Sequence, residues 1–368
     1  MIVGVPKEIK NHEYRVAMVP AGGKSLVQDK HTVLIETAAG EGSGISDIEY
    51  IAAGATIRST AEEVFGDADM IVKVKEPLAK EWPLIQRDKV LFTYLHLAPA
   101  PELTRALLDC GVIGIAYETV QLANGSLPLL TPMSEVAGRL SIQVAAHWLQ
   151  KENGGSGMLL GGVPGTPPAN VAIVGGGTVG INAAKMALGM GANVTILDVS
   201  LDRLRYLDDV LGGRLTVLAS NDVNVEKAVT EADAVIGALL IPGARAKKVV
   251  TTEHMARMRK GSVVVDVAID QGGCVEGAAA TSHDDPVLKV GGVTLYCVAN
   301  MPGCVARTST FALTNATFPY ASKLANLGYK AALKADPALA KGLNVLQGRL
   351  VSKAVADGLG MEYSAYEI

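Results

Sequence analysis

Short apolar runs alternate with longer amphipathic stretches along residues 1–125. Apolar runs of this length, bounded by turn-forming residues, predict strands that are buried on both faces. Strands that alternate with helices are typical of βαβ units and a parallel sheet. The predicted strands cover residues 2–5, 32–36, 70–74, 90–95 and 112–117, and the predicted helices cover 24–30, 47–53, 61–65 and 101–109.

A second series of strands and helices follows a long helix, predicted over 133–151, and a Gly- and Pro-rich connector over 153–168. From residue 306 the pattern is helical again, including residues 344–356. The sequence therefore predicts an α/β fold of two doubly wound domains, with residues 131–305 inserted into a domain formed by 1–130 and 306–368. The strands predicted for the second series cover 171–174, 193–197, 216–218, 234–237, 262–266 and 294–298.

Composition excludes several classes of protein. Of the 368 residues, 49% are hydrophobic and 19% are charged, which is not the composition of a disordered chain. A formal net charge of −4 argues against a nucleic-acid partner. We find neither a signal peptide nor an apolar run long enough to cross a membrane. With four cysteines outside any CxxC pair, we expect free thiols and a cytoplasmic protein.

A dinucleotide-binding fingerprint opens the second series. Gly175, Gly177 and Gly180 match GxGxxG, directly after a predicted strand and at the start of a helix. The glycines allow a tight turn, close approach to a pyrophosphate and close helix–strand packing, which predicts a Rossmann-like domain. Asp198 ends the next strand, where a carboxylate accepts from a ribose hydroxyl, so NAD is favoured over NADP. Arg203 is either an adenosine contact or part of a solvated helix face.

In the first domain, polar residues follow three predicted strands: Arg15, Lys75 and His96. Ligands of open α/β sheets bind outside the carboxyl ends of the strands, so these side chains are predicted to converge. Arg and Lys suit a carboxylate, and His suits proton transfer near neutral pH. The alternatives are an ordinary loop histidine and a surface pair of Lys75 with Glu76.

A second group of candidates follows the strands of the inserted domain. Asp270 comes just past the strand 262–266, whereas Asp266 lies within that strand and is predicted to be structural. The sequence contains no HExxH motif and no Cys/His ligand cluster, so we expect no catalytic metal. Asp270 and the segment after the next strand, with Val298, Ala299, Asn300 and Met301, are predicted to line the cofactor cleft. Val267, Ala268 and Ile269, just before Asp270, are further candidate cofactor-binding residues.

Taken together, these motifs resemble the alanine dehydrogenase family, to which the NAD-binding component of transhydrogenase is related. The resemblance covers the whole chain and implies NAD-dependent, reversible oxidative deamination of L-alanine to pyruvate and ammonia by a homohexamer. It is carried by GVPKE at 4–8, EYRVA at 13–17, VKEP at 74–77, YLH at 94–96, TPMSE at 131–135, the glycine fingerprint with Asp198, DQGG at 270–273 and NMPG at 300–303.

The resemblance also implies residue roles. Arg15 and Lys75 would hold the substrate carboxylate, and His96 and Asp270 would be catalytic. The positions that correspond to NAD contacts are Ser134, Thr178, Val179, Asp198, Arg203, Ser220, Leu239, Leu240, Val267 and Asn300.

Three other functions remain open at this point. The transhydrogenase component hands hydride to a partner and typically has Glu where this chain has Asp270. A lysine- or saccharopine-type dehydrogenase would need a larger pocket. A non-catalytic NAD sensor would leave Lys75, His96 and Asp270 unexplained.

Overall fold

The computed structural model describes residues 1–239 and 248–366, which form two compact units. The first unit comprises Met1–Met133 and Gly303–Ile368, and the second comprises Ser134–Pro302. The second unit is thus inserted in the sequence of the first. Its borders lie three residues from the predicted 130/131 and 305/306. Within the described residues, no helix is long and apolar enough to cross a membrane.

The strands of the described residues are numbered here in chain order. They are β1 (Ile2–Val5), β2 (Thr32–Glu36), β3 (Thr56–Arg58), β4 (Met70–Val72), β5 (Val90–Thr93), β6 (Ile113–Ala116), β7 (Asn170–Val174), β8 (Asn193–Asp198), β9 (Thr216–Ala219), β10 (Ala234–Gly237), β11 (Val263–Asp266), β12 (Val287–Val290), β13 (Val293–Tyr296), β14 (Leu343–Leu346) and β15 (Arg349–Leu350).

Several helices begin beside a capping side chain or at a proline, such as Ser46, Ser200 and Pro101. They are α1 (Pro20–Gln28), α2 (Asp47–Ala52), α3 (Ala61–Asp67), α4 (Pro101–Cys110), α5 (Thr131–Trp148), α6 (Thr178–Gly189), α7 (Leu201–Leu211), α8 (Asp222–Thr230), α9 (Thr252–Arg257), α10 (Ala306–Ala335), α11 (Pro337–Ala340) and α12 (Lys353–Leu359).

The first unit contains an eight-stranded sheet in the order β15-β14-β6-β5-β4-β1-β2-β3. β1 to β6 pair in parallel. The sequence predicted this for all of them except β3, which it missed, and β14 and β15 are antiparallel additions at one edge. The helix predicted over 344–356 is therefore wrong. Gln347 and Gly348 have φ of 51° and 87°, the left-handed pair of a two-residue hairpin turn, and α12 begins only at Lys353.

The second unit contains a seven-stranded sheet in the order β12-β13-β11-β10-β7-β8-β9. β12 is antiparallel to β13, so this sheet is also mixed. The turn between them is Gly291-Gly292, with φ of 61° and 86°, a further two-residue hairpin that the sequence analysis missed. The predicted fold class, two doubly wound α/β domains, is confirmed.

Both sheets reverse their winding direction at the first strand of the unit. In the first sheet the chain moves from β1 to β2 on one side, and β4 lies on the other side. In the second sheet β7 has β8 on one side and β10 on the other. Ligands of such sheets bind outside the carboxyl ends of the strands at this switch point. Each unit therefore has one edge where a site is expected.

Candidate functional sites in the two units

The glycine-rich loop of the second unit lies at its switch point, between β7 and α6. Gly175 has a φ of 109°, which favours glycine, and a Cβ there would lie 2.6 Å from the carbonyl oxygen of Ala238. A Cβ on Gly180 would lie 1.9 Å from the carbonyl oxygen of Gly175, so the helix packs directly on the loop. A Cβ on Gly177 would meet no described atom within 4 Å. The loop thus leaves room for a phosphate at the N-terminus of α6.

Asp198 and Arg203 both contact this loop. One Asp198 carboxylate oxygen accepts from the backbone N–H of Gly176 at 2.8 Å, and the other accepts from Ser200 at 2.8 Å. The Arg203 Nε donates to the Gly176 carbonyl at 2.5 Å, and its guanidinium lies 4.8 Å from the ring centroid of Tyr206. A carboxylate held beside the glycine loop fits the ribose end of NAD.

Most of the other predicted cofactor residues of this unit follow its strands at the same edge. Ser134 lies in α5, and Thr178 and Val179 open α6. Ser220 directly follows β9 and donates its backbone N–H to the Asp198 carbonyl at 2.9 Å. Leu240 lies outside the described residues. Leu239 follows β10, Val267 to Asp270 follow β11, and Val298 to Met301 follow β13.

Asp266 organises the turn that carries Asp270. Its fully buried carboxylate accepts from the backbone N–H groups of Ala268, Cys274 and Val275 at 3.1–3.3 Å. Burial raises the pKa of Asp266, although these N–H groups favour its charged form. Asp270 itself is exposed, and its Oδ2 accepts from the Asn300 N–H at 3.4 Å. A buried carboxylate therefore shapes the turn and leaves the second carboxylate accessible.

In the first unit, the predicted residues follow three neighbouring strands, β1, β4 and β5. Arg15 follows β1 and is 2% exposed. Its Nε and Nη2 donate to the two oxygens of Glu13 at 2.6 and 2.5 Å, and its Nη1 lies 3.0 Å from the sulfur of Met133. Burial disfavours the cation, but the hydrogen bond and charge of Glu13 outweigh it and raise the pKa of Arg15. The Arg15 guanidinium therefore stays charged although it is buried.

Lys75 follows β4 beside a buried ionic cluster of Lys73, Glu8 and Glu81. The Lys73 Nζ is fully buried and lies 2.7 Å from Glu81 and 3.3 Å from Glu8. Glu8 also accepts from the backbone N–H of Val74 at 2.6 Å and of Lys75 at 3.4 Å. Burial raises the pKa of Glu8, against the attraction of Lys73. This cluster ties the chain after β1 to the end of β4.

His96 follows β5 in a strained backbone conformation. Its φ is 47°, in the left-handed region that histidine rarely adopts. The Glu118 carboxylate accepts from the backbone N–H groups of His96 at 2.6 Å and Leu95 at 3.2 Å. The ring Nδ1 lies 3.7 Å from Glu76 Oε2, and the Tyr94 ring lies 5.5 Å away. The Glu118 carboxylate thus binds the backbone of His96, and the Glu76 carboxylate lies beside its ring.

Sequence reasoning missed the acidic half of this region. Glu13, Glu118 and Glu76 contact Arg15 or His96, and Glu8 holds the backbone at Lys75. The Glu76 side chain is only 17% exposed and pairs with Lys10, so Glu76 is not an ordinary surface residue. In the sequence, the position of Glu76 next to a strand end was the one feature that pointed to a role for it. Burial raises the pKa of Glu76, but His96, Lys75 and Lys10 outweigh burial and hold it well below its usual range.

Two family models match the chain. The one described as alanine dehydrogenase/PNT, N-terminal domain, matches residues 4–137, and the C-terminal domain of the same family matches residues 141–353. The chain belongs to the alanine dehydrogenase/PNT family. The family resemblance stated from the motifs is therefore confirmed.

Full-length relatives and solved structures agree with this assignment. The chain is 59% identical over its whole length to an alanine dehydrogenase of Methanococcus maripaludis, covering 99% of that protein. It is 54% identical to one of Mycolicibacterium smegmatis, over 99% of this chain and 98% of the relative. A solved L-alanine dehydrogenase matches with a TM-score of 0.95 and 54% identity, over 98% of this chain and 99% of that one. A transhydrogenase from Sinorhizobium meliloti matches with a TM-score of 0.82 and 27% identity, over 96% and 100%.

Proposed function

We propose that this protein is an L-alanine dehydrogenase that converts L-alanine and NAD reversibly to pyruvate, ammonia and NADH. The observation that carries the proposal is the full-length identity of 54–59% to relatives named alanine dehydrogenase. The same relatives support the enzyme class, an NAD-dependent oxidoreductase acting on an amine carbon. The glycine loop with Asp198 supports NAD as the cofactor.

The substrate carboxylate is assigned to Arg15 and Lys75. Arg15 is buried and charged, so it presents a cation where water does not compete strongly. Lys75 follows the neighbouring strand β4 and supplies a second positive charge. Two cations at adjacent strand ends suit a small carboxylate such as alanine or pyruvate.

The proton steps are assigned to His96 and Asp270. NAD, held by the glycine loop and Asp198, would supply the acceptor for the hydride of the alanine Cα, and loss of that hydride leaves the substrate as an iminium. Water then adds, and the resulting carbinolamine releases ammonia to give pyruvate, so protons must leave the water and reach the nitrogen. Both side chains can accept and return protons, which is why these steps are assigned to them. The assignment leaves open which of the two activates the water.

The finer features of the proposal rest on the family resemblance. It implies a homohexamer in the cytoplasm, with small molecules as substrates and no nucleic-acid or membrane partner. The cofactor contacts proposed are those at the carboxyl edge of the second sheet, together with Ser134 and Leu240. Light scattering after size exclusion would measure the oligomeric state, and a monomer or dimer would contradict the hexamer.

The deciding experiment is a screen of amino acids with NAD, followed by the absorbance of NADH. We expect L-alanine to give the fastest reduction, and pyruvate with ammonia to oxidise NADH. A protein that bound NADH but oxidised no amino acid would favour the transhydrogenase component instead. A preference for lysine or saccharopine would overturn the substrate assignment while keeping the enzyme class.

A further inference from the structure

Glu76 combines burial, charge and an unsatisfied oxygen beside His96. Its Oε1 pairs with Lys10, whereas its Oε2 is buried and has no hydrogen-bond partner among the described residues. The His96 Nδ1 lies 3.7 Å from this oxygen. A buried carboxylate oxygen without a donor is costly, so a small rotation that brings a donor within reach is favoured.

We propose that Glu76 is a positioning residue that holds His96 in the tautomer with a proton on Nδ1, so that Nε2 is the nitrogen that exchanges protons with the substrate. A carboxylate accepts but cannot donate, so a hydrogen bond between Nδ1 and the Glu76 oxygen requires the proton on Nδ1. In neutral imidazole the other nitrogen then carries the lone pair. This inference rests on the proposed function, in which His96 is the proton carrier.

The surroundings of the ring support a fixed orientation. Glu118 holds the strained backbone of His96 through two N–H groups, and the Tyr94 ring packs 5.5 Å from the imidazole. The charged or titratable groups around the ring are Glu76 with its partners Lys10 and Lys75, the Glu118 carboxylate and Tyr94. Of these, Glu76 is the one whose ion contact with the ring nitrogen is resolved. The backbone is thus set by one carboxylate and the tautomer by another.

The proton balance of the step follows from this arrangement. Nε2 accepts one proton from the reacting substrate or water, and the resulting imidazolium keeps its Nδ1–H on Glu76. The same Nε2 proton is later returned to the leaving nitrogen. Glu76 remains a carboxylate throughout and stabilises the transient cation. No proton passes through Glu76, so its loss slows the reaction without removing the proton carrier.

Nitrogen-15 NMR of histidine-labelled, full-length protein tests the tautomer directly. The His96 signals are identified by their loss in His96→Gln, and spectra are taken at alkaline pH, where imidazole is neutral. We expect the wild type to show a protonated Nδ1 and a bare Nε2. Glu76→Ala is expected to shift His96 toward the Nε2–H form. Glu76→Gln keeps an accepting oxygen and is expected to keep the Nδ1–H form.

Kinetics supply a second readout. Losing a residue that orients another typically lowers activity about 10–100-fold, so Glu76→Ala is expected to lower kcat by that factor, with partial rescue in Glu76→Gln. Lys10→Ala, which removes the partner of the other Glu76 oxygen, is the matched control and should leave the His96 tautomer unchanged. An Nε2–H form in the wild type, or the same tautomer in Glu76→Ala, overturns the proposal. Because the NMR result needs no turnover, it stands apart from any failure of the alanine assay.

Discussion

The two candidate sites are built in different ways. The dinucleotide loop of the second unit uses backbone groups and three glycines within residues 175–180, together with Asp198 a short distance along the chain. The charged region of the first unit draws on residues from Glu8 to Glu118. In it Arg15, Lys73 and the His96 ring each lie beside a carboxylate. A phosphate site needs accessible backbone N–H groups, whereas a buried cationic site needs counter-charges.

This difference determines what a mutation does in each unit. In the loop, an added methyl group overlaps neighbouring backbone at Gly175 and Gly180 but meets no described atom within 4 Å at Gly177. In the charged region, removing one side chain leaves its partner buried and unpaired, which is costly. Function and stability are therefore separable in the loop and coupled in the charged region.

The largest expected effect is on turnover, from Asp270→Asn. Asn keeps the size of the side chain but cannot accept and return a proton, and losing a general acid–base group costs about 10²–10⁴ in rate. We expect alanine and pyruvate turnover to fall by that factor while NADH binding, measured by fluorescence titration, stays near the wild-type value. His96→Ala, in the first unit, is expected to lower turnover by a similar factor. Full turnover in both variants would refute the catalytic assignment.

Lys73→Met tests the coupling of charges in the first unit. It leaves Glu8 and Glu81 buried without their common cation, and breaking a buried pair typically costs about 3–5 kcal/mol. We expect the free energy of unfolding, measured by urea titration, to fall by that amount. Lys89→Met, whose lysine is 29% exposed and pairs with Asp69, is the control and should change little. Equal effects of the two substitutions would show that the cluster is not energetically coupled.

Lys75→Ala separates carboxylate binding from the rest of the first unit. A truncated charge-assisted contact commonly costs about 1.5–3 kcal/mol, which is roughly 10–150-fold in kcat/KM for pyruvate. NADH affinity should not change, because Lys75 is not among the proposed cofactor contacts. Unchanged pyruvate kinetics would show that Lys75 does not bind the substrate carboxylate.

Two glycine substitutions test whether stability and NAD binding can be changed separately in the loop. A Cβ on Gly180 would overlap the Gly175 carbonyl, and such overpacking costs about 1–3 kcal/mol of stability. A Cβ on Gly177 meets no described protein atom within 4 Å, so Gly177→Ala should keep nearly full stability but weaken NAD binding at the pyrophosphate. Thermal unfolding and NADH titration of both variants give the comparison. Destabilisation by Gly177→Ala equal to that by Gly180→Ala would contradict it.

Most of the fold and the glycine-rich loop could be predicted from signals that are local in the sequence. The Gly175–Gly180 turn and the Asp198 strand end lie close together in sequence, so spacing alone predicts their arrangement. The hairpins at Gly291-Gly292 and Gln347-Gly348 are equally local. The sequence nevertheless predicted no strand over 287–290, and it predicted a helix in place of β14 and β15, where the spacing of apolar residues is helix-like. The two hairpins add antiparallel strands at sheet edges.

The carboxylate partners of the first unit lie beyond what sequence spacing can predict. Glu118 reaches the His96 backbone from more than twenty residues away, and Glu8 reaches Lys73 and Lys75 from another strand end. Single-sequence patterns predict which face of an element is buried, but they do not predict which buried charges meet. The need for a counter-charge at a buried cation is predictable, and only the fold identifies the residue that supplies it.

The smallest expected effect is a change in acid stability from Glu76→Gln. The folded-state pKa of Glu76 is lowered, so its charge stabilises the fold above the unfolded value of about 4.3, and this contribution is lost as pH falls below that value toward the folded pKa. Gln has no such titration. The wild type should therefore be more stable than Glu76→Gln at pH 7, and the gap in unfolding free energy should narrow between pH 5 and pH 3. Glu102→Gln, an exposed glutamate of α4, serves as the control for general acid effects. A gap that widens on acidification would show that Glu76 is held protonated in the fold, and that it cannot serve as the acceptor for His96.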